Sequence, residues 1–211
     1  MEGAALVLMA VGCAVPPHPR TESAPGSIEQ RVEAITTAAR RSEQEPDAKV
    51  RAELAEDASR EAEACLAAEP QAAACLYGHA VALGLEARAH PAYARERLGR
   101  MLAELTAAEA ADPAYDQAGP ARVRALVLTR APGWPLGPGD PEAGVAAAQR
   151  AVSLRPQYPA NQLALAEALA KSGDLQAARE AYQRARQEAA AQPPGPDRDA
   201  WLREADRGLL R

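Results

Sequence analysis

"PANQLALAEALAKSGDLQAAREAYQRA", residues 159–185, is the stretch that decides the fold. Leu165 and Ala166 sit in a first helix, and Gly173-Asp174 is a turn signal. Ala178, Tyr182 and Ala185 then recur at the i, i+4, i+7 spacing of a second helix. A two-helix unit of this size cannot bury its apolar face alone, so neighbours must stack on it.

Working outward, helix ends at Glu69-Pro70, Asp112-Pro113 and Arg155-Pro156 place prolines 43 residues apart, twice in succession. A fixed period in this range is the mark of a solenoid. The same step back reaches Ser27, where Ser27 and Gln30 form a capping box that opens the first helix. The units therefore run 28–70, 71–113 and 114–156, followed by a shorter one from 157 to about 193. Five positions before each proline stands a small residue, Cys65, Ala108 or Ala151, which lets the second helix approach its neighbour closely. At the end, "PDRDAWLREADRGLLR" places Trp201, Leu202, Ala205, Leu209 and Leu210 on one side of a helix, a terminal cap for the stack.

Composition agrees. The 211 residues are 47% hydrophobic, mostly alanine and leucine, with no phenylalanine and few β-branched residues, which favours close-packed helices over sheet. The net charge is −5 with acids and bases interspersed, so no basic surface for nucleic acid is expected. No stretch approaches the ~20 apolar residues that span a bilayer.

The apolar run "GAALVLMAVGC" ends in Ala10-Val11-Gly12-Cys13, which resembles a bacterial lipobox with Cys13 as the acylated residue. Only Met1-Glu2-Gly3 precede or open the run, so it reads either as a lipoprotein signal whose basic segment is missing or as a chance apolar N-terminus. "AVPPHPRTESAPGS" reads as an extended tether. The expected organisation is a lipoprotein signal to about residue 12 and a tether, together 1–27, then one repeat domain over 28–211. Ala14 after Cys13, in place of aspartate, points by the usual sorting pattern to the periplasmic side of the outer membrane. Cys65 and Cys75 flank a helix–turn–helix and can face each other. They are read either as a disulfide or, the favoured reading, as two small buried thiols.

The final unit fits the tetratricopeptide (TPR) pattern; the earlier ones are longer and diverged. The expected fold is all-α, a TPR-like α-solenoid with a C-terminal capping helix. Beyond generic TPR, "PAYDQAGPARVRALVLTRAPGWPLGPGDPEAGVAAAQRAVSLRPQYPANQLALAEAL" (113–169) and "ACLYGHAVALGLEAR" (74–88) resemble the TatT family, the T components associated with TRAP transporters. The resemblance covers most of 28–191. It implies a periplasmic helical lipoprotein, a solute-binding protein as partner, and a trimer with a cavity through each subunit.

In the third unit, the first helix is expected from Pro120 to about Thr129 and the second from an N-cap at Asp140. The proline-stiffened loop between them carries Trp134, read chiefly as a lid on the core and otherwise as a ligand-facing aromatic. His79 reads as a satisfied core residue and His90 as a cap; His18 lies in the tether. There is no zinc spacing, phosphate loop or nucleophile elbow, so neither an enzyme nor a cofactor is expected. Projecting the repeat onto a groove puts Tyr77 and Val81, Gln117 and Arg124, and Glu167 and Lys171 inward, with Arg124 as the carboxylate fork. This mixture lacks the lysines and asparagine with which chaperone-binding TPR domains hold a C-terminal carboxylate. Two functions follow: a periplasmic accessory of solute uptake that binds a small organic acid or docks a solute-binding protein that does, or a protein–protein scaffold in envelope assembly or secretion with no small ligand.

Overall fold

The computed structural model describes residues 26–210; Cys13 and the tether up to Pro25 lie outside them. Among the described residues the chain forms nine α-helices and one short 3₁₀ turn, with no strands. They are α1 (Ile28–Gln44), α2 (Ala48–Ala68), α3 (Ala73–Ala89), α4 (Ala94–Ala111), α5 (Tyr115–Arg130), α6 (Pro141–Leu154), α7 (Pro159–Ser172), α8 (Leu175–Ala190) and α9 (Pro196–Leu209).

The helix starts obey local chemistry. Ser27 Oγ accepts from the Gln30 amide and Gln30 Oε1 accepts from the Ser27 amide, which completes the capping box. Asp47, Asp140 and Asp174 cap α2, α6 and α8 in the same manner, each accepting one free first-turn N–H. Gly173, at φ +96°, supplies the left-handed residue that ends α7.

Each helix packs on its successor, and α1, α3, α5, α7 and α9 also pack on one another in order, whereas the even-numbered helices do not. The odd helices therefore form the inner layer of a solenoid and the even helices the outer one. Small residues allow the approach: Cys65, Ala108 and Ala151 are fully buried. α9 closes the stack by burying Ala205, with Trp201 and Leu209 packed against Leu163 and Tyr182. Leu210 leaves the expected apolar side and is 87% exposed, because the helix has ended before it.

Two expectations change. Cys65 and Cys75 form a disulfide rather than two thiols. The Glu69-Pro70 turn brings the end of α2 and the start of α3 together, with a Cα–Cα distance of 5.2 Å that suits the bond. Trp134 is no lid: its side chain is 85% exposed. The loop is instead fixed by its own backbone, with Gly139 donating to the Pro132 carbonyl at 2.8 Å and Asp140 to that of Leu128 at 2.8 Å. The expected start of this helix near Pro120 holds: Asp116, Gln117 and Ala118 all have positive φ (46°, 55° and 64°), so regular α5 begins only after them.

Candidate functional site

The left-handed turn at 116–118 is unusual for three residues that carry a Cβ, each of which disfavours it by about 1 kcal/mol. A polar network holds it. Arg122 Nη1 donates to the carbonyls of Asp116 and Gln117 and to Asn161 Oδ1, each at 3.1 Å. Its Nη2 donates to Asp116 Oδ2 at 2.8 Å. Asn161, fully buried on α7, donates through Nδ2 to the carbonyls of Gln117, Ala151 and Arg155. Tyr77 Oη donates to Asp116 Oδ2 at 2.8 Å, and the Arg122 guanidinium lies 5.1 Å from the Tyr158 ring centre. Burial, reinforced by the Asp116 carboxylate, pushes the Tyr77 phenol above the ordinary tyrosine range, so it remains a donor. Gly119 leaves room for this network: a Cβ would meet Asp116 Oδ2 at 2.7 Å and the Tyr77 ring at 3.0 Å, and would push the hydrogen-bonded pair aside.

Three clefts border the inner layer. The first, about 460 Å³, lies between α1, α3 and α5 and is lined by Val32, Ile35, Tyr77, Val81, Tyr115 and Asp116. The second, about 700 Å³, is mostly apolar, with Gly84, Leu98, Met101, Leu126 and Val127. The third, about 490 Å³, lies among α5, α7, α8 and α9, with Glu167, Lys171, Arg179 and Tyr182. Arg130 lines both the second and the third. Glu167 grips it bidentately, Nε to Oε1 at 2.7 Å and Nη2 to Oε2 at 2.6 Å, and these bonds hold the guanidinium firmly protonated. Lys171 and Arg179 have no ion-pair partner among the described residues. Thr129 lines the third cleft, and its buried hydroxyl has no hydrogen-bond partner there.

The sequence-derived candidates separate on this surface. Tyr77 and Val81 line the first cleft, and Glu167 and Lys171 line the third. Gln117 contributes its carbonyl to the network while its side chain is exposed. Trp134 lies outside these clefts. Arg124 is turned away to α4: its Nη2 is 3.0 Å from Glu109 Oε2, in an ion pair that falls short of hydrogen-bond geometry. Arg150 reaches the other oxygen of that carboxylate at 3.3 Å. The cation at the inner surface is Arg130, six residues later and about 240° further round the helix. His79 is buried and bonded to Glu104 at 3.1 Å, as its structural reading held. Among the described residues no three metal-ligating side chains come together. The reading from residues missed Asp116, Arg122 and Asn161, although the Gly119-Pro120 step beside them signalled an irregular helix start.

Helix pairs stacked in chain order, an inner layer of first helices and a closing ninth helix define a TPR-like α-solenoid. The crystal structure of a thermophilic TPR protein from Thermus thermophilus superposes with a TM-score of 0.58 at 20% identity. The superposition covers 87% of this chain and 93% of that one. No family profile and no curated protein matches the sequence.

Proposed function

We propose that this protein is a non-catalytic accessory of TRAP-type solute uptake. In this reading it is anchored through Cys13 to the periplasmic face of the outer membrane. It takes a small organic acid on its inner surface and docks a solute-binding protein. The observation that carries the reading is Arg130, fixed by Glu167 where an apolar cleft meets a charged one. Such a junction suits an amphipathic acid, its hydrocarbon against Leu126 and Val127 and its carboxylate near Arg130 and Lys171. The Cys65–Cys75 disulfide supports an oxidising compartment, and the TatT resemblance supports the transporter and the trimer. The TPR-like fold by itself supports protein partners in general.

The test is calorimetric titration of the full chain with pyruvate, butyrate and octanoate, and with a purified TRAP-type solute-binding protein. Binding of an acid is expected, weakened about tenfold by Arg130→Gln, or about 1.4 kcal/mol. Binding of the protein alone would favour the scaffold reading, and binding of neither would defeat the proposal.

A further inference from the structure

The first cleft, between α1, α3 and α5, differs in character from the two that Arg130 lines. Its volume of about 460 Å³ lies within the range of small-molecule sites. Val32 and Ile35 from α1 and Val81 from α3 give it an apolar wall, and Tyr77 and Tyr115 form an aromatic corner. The two rings meet edge to face, with centroids 5.5 Å apart. Tyr115 is only half-buried, so part of its ring stays uncovered. Asp116 completes the corner. Both hydrogen bonds to its carboxylate, from Tyr77 Oη and Arg122 Nη2, end on Oδ2. Oδ1 has no hydrogen-bond partner among the described residues, and the side chain is 44% exposed.

The charge balance around this corner is negative. Arg40, Glu43 and Asp116 are the charged side chains that line the cleft, and Asp112 and Arg122 also act on its tyrosines. Arg40 and Glu43, three residues apart on α1, offset one another. That leaves two acids against Arg122, which is already committed to the turn carbonyls and to Asn161 as well as to Asp116. Burial raises the Tyr115 phenol, and Asp116 and Asp112 raise it further, as a negative local field must.

We propose that this cleft binds a small organic cation, a primary ammonium on a short hydrocarbon chain, independently of the solute-uptake reading. The ammonium donates to Asp116 Oδ1 and lies against the Tyr115 ring, while the hydrocarbon covers Val32, Ile35 and Val81. An organic acid would be set against Asp116 and Glu43, so the site is separate from the one at Arg130. A bare metal ion would find one free carboxylate oxygen beside an apolar wall, far short of the oxygen shell it needs. Among the described residues no three metal-ligating side chains come together to supply that shell.

The experiment is calorimetric titration of the full chain with hexylammonium chloride and with hexanol, its neutral counterpart of the same shape. Hexylammonium is expected to bind, and hexanol about tenfold more weakly. Tyr115→Leu keeps an apolar side chain but removes the ring, and should weaken hexylammonium about threefold. Asp116→Asn removes the charge at constant shape and should weaken it about tenfold. Hexanoate added to the complex should not displace the amine. No binding of hexylammonium, hexanol binding as tightly, or hexylammonium binding untouched by the two variants would overturn the proposal. So would displacement by hexanoate, which would put the amine's hydrocarbon in the acid site. Both variants are titrated below their own melting temperatures, so that lost binding reports the site and not the fold.

Discussion

At the scale of single residues, the protein concentrates its polar investment in one place. Arg122 is 8% exposed, yet it reaches three backbone or amide oxygens and one carboxylate. Arg122→Ala would remove the cation beside the buried end of this network and the side-chain donor to the Asp116 carbonyl, leaving the Asp116 carboxylate only Tyr77 Oη and the Gln117 carbonyl only Asn161 Nδ2. The expected loss is roughly 3–5 kcal/mol in urea unfolding. Gln117 tests the turn itself. Its side chain is exposed and its network contacts run through the carbonyl, so Gln117→Gly keeps every bond and removes a Cβ at φ 55°. The variant should gain about 1 kcal/mol, and a loss would show that the amide side chain has a role of its own.

At the scale of elements, Cys65 and Cys75 staple the end of α2 to the start of α3. The closed loop is short, so replacing both by alanine should cost roughly 2–3 kcal/mol in thermal or urea unfolding. Reducing agent should lower the parent toward the variant and leave the variant unmoved. Helix positions were legible in the sequence because prolines, Ser27, Asp140 and Gly173 act locally. The disulfide was less so, since two cysteines flanking a turn are compatible with either state until the helix approach is known. The phase of α5 was hidden for a similar reason. Asp116-Gln117-Ala118 contains no glycine to announce a left-handed turn, and that turn rotates the helix that follows. Repeat spacing carried through it selected Arg124, which faces Glu109, in place of Arg130, which faces the clefts. Trp134 was misjudged because large aromatics usually bury themselves, whereas this loop is closed by backbone hydrogen bonds and leaves the ring exposed.

At the scale of the whole molecule, stability depends on how the last helix closes the stack over the charged cleft. Glu204, on α9, is partly buried close to Arg130, Glu167 and Arg207. Burial raises its carboxyl above the ordinary value of 4.5, and Glu167 adds to this, while Arg130 and Arg207 oppose it. In the window that begins at 4.5 and extends upward, the folded chain holds this proton more tightly than the unfolded one. Stability from this group is therefore present at low pH and declines as pH rises through the folded value. Glu204→Gln is uncharged throughout and lacks that decline. The variant should melt above the parent at neutral pH, and the difference should shrink steadily as the pH is lowered toward 4.5. Thermal unfolding at several pH values measures it. A parent that remains the more stable protein at neutral pH would mean that attraction between Glu204 and the arginines outweighs its burial. The cleft would then be held together by that carboxylate rather than strained by it.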